Sequence, residues 1–155
     1  MTEIRFYHME ARKLEDALPG LLEEALAGNV RVVVEASSRE LIEALDERLW
    51  TYSDDAFLPH GLAHGDEPGS QPIVLATDDA NPNGAAWRVL VGGARILPAI
   101  AAAAGRPPAL IILLFDGADG ESRAAARTQW AEVKAAGYAP SYWRQDDSGH
   151  WRQGR

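Results

Sequence analysis

The 155-residue chain is long enough to bury a sizeable core, and its 46% apolar content marks it as ordered and globular. Its formal charge of −8 disfavours direct binding to a phosphate backbone, and the lack of any cysteine excludes disulfide frameworks and thiolate chemistry. No apolar stretch reaches the ~18 residues of a membrane span, and Met1-Thr2-Glu3-Ile4-Arg5 lacks the basic and apolar regions of a signal peptide, which together indicate a cytoplasmic protein with no membrane contact.

Glu3 to Met9 reads as a first strand, with Ile4, Phe6 and His8 alternating against Arg5 and Tyr7. Helical spacing follows from Lys13 to Ala27 through Leu14, Leu18, Leu21, Leu22 and Leu26. Pro19 falls inside that pattern and is expected to kink the helix or start a new one. Gly28-Asn29 supplies a stop, because both residues tolerate the left-handed conformation that ends helices. Val30 to Val34 is a β-branched run of the kind buried on both faces. Ser37, with Glu40 three residues on, has the form of a capping box. It opens a helix with Leu41, Ile42, Leu45 and Leu49 on one face.

His60 to Ser70, with three glycines and one proline, reads as a mobile loop. Ile73–Ala76 and Ala86–Val91 read as strands joined by a loop rich in Asp, Asn, Pro and Gly. Ile96 to Ala104 is a short helix stopped by Gly105 and Pro107-Pro108, and Leu110 to Phe115, the most apolar run, is a central strand. Glu121 to Ala136 is a helix ended by Gly137. Tyr142 to Trp151 looks like a terminal hairpin turning at Asp146–Gly149. This alternation predicts a single α/β domain over residues 1–155, with a mostly parallel, Rossmann-like sheet, helices on both faces, and about 141–155 as a hairpin extension.

The charge is uneven. Residues 1–119 hold nine Lys/Arg against nineteen Asp/Glu, whereas residues 120–155 hold six against four. In the last helix Arg123, Arg127, Trp130 and Lys134 fall within an arc of roughly 60°. Ala124, Thr128, Ala131 and Ala135 make a second stripe, small enough to lie on a sheet. Two arrangements fit. One is a solvated basic face with Trp130 folded over the core rim. The other is a dock for an acidic peptide with an aromatic end, in which a guanidinium grips a carboxylate beside an apolar wall.

Other chemistry finds little support. His60 and His64 would converge on a metal only from a helix, and Gly61 and Gly65 argue for loop. No metal and no cofactor is expected. Asp54-Asp55, Asp78-Asp79 and Asp146-Asp147 sit in turn contexts, where Asp bonds its own backbone. His8 reads as a core or edge histidine. Val91-Gly92-Gly93-Ala94-Arg95 occupies the position of a phosphate loop but has neither the Gly-x-Gly-x-x-Gly fingerprint nor a Walker lysine.

Phe6-Tyr7-His8, then Leu49-Trp50-Thr51-Tyr52-Ser53-Asp54-Asp55-Ala56-Phe57-Leu58-Pro59-His60-Gly61, then Gln71-Pro72-Ile73, occur in an order that resembles the chi subunit family of bacterial DNA polymerase III holoenzyme. The resemblance runs from about Phe6 to Trp151. It implies an α/β fold and a non-catalytic adaptor that captures the acidic, phenylalanine-terminated tail of single-stranded-DNA-binding protein. Arg123 and Arg127 match the family's basic positions, counted back from Gly137-Tyr138. Trp130 matches an aromatic position, and Phe115 an apolar one beside the pocket. Lys134 has no clean family counterpart and is a candidate on helical geometry alone. Asp116 departs from the family, which more often has an apolar residue there. The resemblance also implies that Trp50, Phe57, Leu58 and Leu62 lie at or near the surface for the small psi subunit of the clamp loader; the same residues would serve equally as core.

Two competing readings remain from the residues. One is a small nucleotide- or metabolite-binding enzyme with its ligand near Gly92-Gly93. The other is a chi-like scaffold that keeps the tail dock but has no psi partner.

Overall fold

The computed structural model describes residues 2–53, 58–103 and 105–154. Asp54, Asp55 and Phe57 therefore lie outside the described residues. Eight strands form one sheet: β1 (Glu3–Met9), β2 (Val32–Ala36), β3 (His60–Leu62), β4 (Ile73–Ala76), β5 (Trp87–Val91), β6 (Leu110–Asp116), β7 (Ser141–Gln145) and β8 (Trp151–Gln153). Their order across the sheet is β3-β4-β2-β5-β6-β1-β7-β8. Every neighbouring pair is parallel except β7 and β8, the closing hairpin. The four helices are α1 (Leu14–Ala27), α2 (Arg39–Thr51), α3 (Ile96–Ala102) and α4 (Gly120–Ala135).

Strand alternation divides the core between two faces. Tyr7, Met9, Ile112 and Leu114 join α1 and α2 on one face. Ile4, Phe6, Ile111 and Leu113 join α3 and α4 on the other. The parity of β1 thus aims Phe6 and His8 at the α4 side. The register Phe6↔Tyr142 brings Tyr142 of β7 to the same side.

Several sequence expectations are corrected locally. Pro19 neither divides α1 nor starts a new helix. Its missing N–H would leave the Glu15 carbonyl without a donor, and Arg48 of α2 supplies one through Nε at 3.2 Å while its Nη2 reaches Asp16 at 3.1 Å. The cap of α2 is Ser38, not Ser37: the Ser38 hydroxyl accepts the Leu41 N–H, and Ser37 instead donates to the Gly92 carbonyl. The segment expected as a loop from His60 begins as strand β3 and ends in a 3-10 turn at Pro68–Ser70. The His60 ring is buried there, donating from Nδ1 to the Leu58 carbonyl at 2.6 Å.

Candidate functional site

The last long helix is fixed at both ends and along its inner face. Asp119 caps it, accepting from the Ser122 N–H at 3.0 Å and the Ser122 hydroxyl at 2.7 Å. Those bonds hold the Asp119 carboxyl below the usual carboxylate range. Gly137, at φ +95°, closes the other end in a Schellman motif, with Tyr138 N bonded to Val133 O at 3.0 Å and Gly137 N to Lys134 O at 3.0 Å. The packed face is Ala126, Gln129 and Val133. The small stripe Ala124, Thr128, Ala131 and Ala135 faces solvent instead, so the alanines supply helix propensity rather than contact. Gln129 is the join to α3: its Oε1 accepts the Ile96 N–H at 2.8 Å, satisfying a first-turn donor of that helix.

Trp130 sits between core and surface. Its ring meets Phe6 edge-on, with centroids 5.1 Å apart and planes at 66°. Such a contact adds about 0.5–1.5 kcal/mol beyond burial. Trp130 thus folds over the core rim and also lines a groove of about 360 Å³. Phe6, Phe115 and Trp130 make its apolar wall, Arg123 and Arg127 stand beside it, and His8 and Tyr142 close the side toward β7. Arg123 donates through Nη1 to the Gly117 carbonyl at 2.7 Å, which fixes its guanidinium near the groove. No hydrogen bond or ion pair within the described residues engages the Arg127 guanidinium. A cation beside a wall of Phe6, Phe115 and Trp130 is chemistry suited to an anionic group carried on an apolar ligand.

Of the residues singled out in sequence, four meet here: Arg123, Arg127, Trp130 and Phe115. Lys134 is exposed on the next turns and does not line the groove. Asp116 is turned away, its carboxylate accepting the Ala118 N–H at 2.9 Å. Sequence reasoning missed Phe6, His8 and Tyr142 as lining residues. The alternation of β1 contained the signal for Phe6 and His8. Tyr142 could not be found that way, because its position depends on β7 pairing parallel to a strand more than a hundred residues earlier.

The second candidate patch separates. Trp50, at the end of α2, is 55% exposed, with its ring 4.6 Å from that of His60. Leu62 is half-buried, and Leu58 is 1% exposed and belongs to the core. Phe57 lies outside the described residues. His60 and His64 face different carboxylates, Asp46 at 3.0 Å and Asp78 at 3.5 Å. Among the described residues no group of three or more His, Cys, Asp or Glu is placed to hold a metal ion.

At the carboxyl ends of β1, β5 and β6, where open α/β sheets hold their ligands, there is a separate crevice of about 530 Å³. Its lining includes Glu15, Asp116, Asp119 and Glu121 against Lys13. Gly92 and Gly93 border it, with φ of +53° and +89°. Their open faces are already filled: a Cβ on Gly92 would meet Leu41 Cδ2 at 2.3 Å, and one on Gly93 the Ser37 hydroxyl at 3.1 Å. These glycines seat the start of α2 against the strand, and the acidic lining repels the phosphate that a nucleotide would bring.

Comparison with known proteins bears out the resemblance. A family model described as "DNA polymerase III chi subunit, HolC" matches residues 1–141. The chain is also 31% identical over 91 residues to a protein of Rickettsia prowazekii (strain Madrid E) named "Probable DNA polymerase III subunit chi". That match covers 59% of this chain and 55% of the other protein, so the similarity spans about half the length of the curated relative. Tyr142 and the remainder of the closing hairpin lie past the residues matched by the family model.

Proposed function

The chain belongs to the DNA polymerase III chi subunit family, and on that premise we propose that it is a non-catalytic adaptor. It links the replicative polymerase and its clamp loader to DNA coated with single-stranded-DNA-binding protein by capturing the acidic C-terminal tail of that protein. The observation that carries this reading is the groove beside α4, an apolar pocket of Phe6, Phe115 and Trp130 flanked by two arginines. The apolar wall takes the aromatic end of the tail. Arg127, with Arg123 beside it, grips the carboxylates, in the manner of other docks for acidic motifs. Binding of this kind is electrostatic in part and weakens with salt. A few modest contacts correspond to an affinity on the order of micromolar.

Residues 1–155 act in this reading as one chi-like unit, with the hairpin from 141 as an extension. For a psi partner the exposed apolar contact is Trp50, while Leu62 is half-buried and Leu58 is withdrawn into the core.

The test is fluorescence anisotropy with a labelled acidic peptide ending in Asp-Ile-Pro-Phe, against wild type and Arg127→Ala. Saturable binding that falls with salt, and that the substitution weakens by tenfold or more, is the expected outcome. Absence of binding by wild type at low salt would sink the proposal. Binding that survives the substitution unchanged would move the site away from α4.

A further inference from the structure

His8 is the one groove residue whose charge is not fixed. It projects from β1 with its ring against Phe115, centroids 5.0 Å apart, and its Nδ1 is hydrogen-bonded to the Tyr142 hydroxyl. The contact is built tightly: a Cβ on Gly117 would lie 1.6 Å from His8 Nε2, so a glycine there is what lets the ring lie flat in the wall. Charged groups lie near it on the neighbouring elements. Glu10, on the same chain segment, is 3.9 Å from Nε2 and is held by Arg144 of β7. Asp116 ends β6, and Arg123 of α4 stands across the groove. The phenol of Tyr142 completes the set.

We propose that His8 is a third recognition group of the groove, taking up a proton as the acidic peptide binds and freeing the Tyr142 hydroxyl to donate a hydrogen bond to it. This rests on the peptide-capture reading above. With the ring neutral and its proton on Nε2, the nitrogen toward Glu10, Nδ1 accepts from the Tyr142 hydroxyl and commits that proton. With the ring protonated, Nδ1–H becomes the donor, the bond reverses, and the phenol O–H turns free to donate to a carboxylate in the groove. The same proton adds a positive charge beside Arg123 and Arg127. The one bond formed is the imidazole N–H: its proton comes from solvent and stays on the ring while the peptide is bound, and the Tyr142 O–H bond is kept.

The direction of the pH effect follows from the surroundings. In the empty groove burial, then Arg144 and Arg123, hold His8 below its ordinary value, with Asp116 pulling the other way. An anionic ligand raises it again. A group whose pKa is higher in the complex than in the free protein strengthens binding as pH falls, and the gain is lost as pH rises through the pKa of the complex. A difference of one unit gives tenfold at the limit. Peptide carboxylates, titrating near 4, stay ionised throughout the window.

The experiment measures the affinity of the same histidine-free acidic peptide between pH 8.0 and 5.5 at constant ionic strength. Wild type, His8→Gln and Tyr142→Phe are compared, with calorimetry in two buffers of different ionisation enthalpy to count protons taken up. Wild type is expected to bind on the order of three- to tenfold more tightly at the acid end, with net proton uptake. His8→Gln, which can still pair with Tyr142 but does not titrate, should bind with a flat profile and no uptake. Tyr142→Phe should keep the uptake and lose part of the gain. Wild-type binding that is flat with pH would overturn the role of His8 and leave peptide capture standing, as would an unchanged slope in His8→Gln. No wild-type binding at any pH would remove both.

Discussion

The groove beside α4 and the crevice at the strand ends are cut into the same sheet, and β6 contributes Phe115 to both. One is apolar and flanked by Arg123 and Arg127; the other carries Glu15, Asp116, Asp119 and Glu121 with a single lysine. The crevice occupies the position where α/β sheets commonly hold nucleotides, yet its glycines are plugged by Leu41 and Ser37 and its lining is of the wrong sign. Fold architecture thus points to one end of the molecule and side-chain chemistry to its flank. Asp116 marks the border between the two regions, with its carboxylate folded onto the Ala118 N–H and out of the groove.

Arginines sharpen the contrast and set the largest expected effect. Arg88 is 5% exposed and held by four bonds: it donates to Glu35 at 2.9 and 2.7 Å, to Ala80 O at 3.0 Å and to Asp78 O at 2.7 Å. Arg88→Leu strands the half-buried Glu35 carboxylate and two carbonyls, and should cost about 3–5 kcal/mol in denaturant unfolding. Peptide affinity per folded molecule should not change. Arg127→Ala should do the reverse, leaving stability within about 0.5 kcal/mol while removing most binding. If both substitutions damaged stability and binding alike, the separation of structural from recognising arginines would be lost.

Gly117→Ala comes next and tests whether the groove and the core share a wall. The added methyl meets His8 Nε2 and, at 2.8 Å, the Met9 carbonyl, so one of them must move. A loss of about 1–3 kcal/mol is expected from overpacking. Because His8 lies between Phe115 and Tyr142, peptide affinity should fall as well. A variant that lost stability but bound normally would show that the His8 wall is not part of recognition.

How far these features were legible depends on the range of the interactions behind them. Strand alternation in Ile4–Met9 and the β-branched run near Val32 announce the sheet because burial is written residue by residue. Even so, that strand begins at Val32 and not at Val30. Val30 N bonds back to Ala25 O at 2.8 Å to complete the closure of α1 around Asn29, whose φ is +57°. Arg31 is drawn to the carbonyls of Gly69 and Asn83. Strand β3 was hidden because His60 to Ser70 carries three glycines and a proline, which signal a loop, whereas the His60 ring is buried and held by the Leu58 carbonyl and Asp46. The basic pair on α4 was visible from helical spacing. The packing face was not, because Gln129 is buried for a bond to Ile96 that no local pattern encodes.

The smallest expected effect concerns Lys134, which helical spacing places on the same arc as Arg127 but which does not line the groove. Seven residues separate the two, roughly 10 Å along the helix axis. That distance exceeds the ~8 Å over which exposed charges act at physiological salt. Lys134 also lies in the last turn of α4, where a cation favours the negative end of the helix dipole, so it has a structural role without any ligand. Lys134→Ala should therefore change peptide affinity by less than about twofold at 150 mM salt, and by more only as salt is lowered toward 10 mM, where the screening length is ~30 Å. The readout is the ratio of variant to wild-type affinity across that salt series. A ratio that stayed large and flat with salt would mean that the peptide runs along α4 and touches Lys134 directly, and the recognition surface would extend a further two turns beyond the groove.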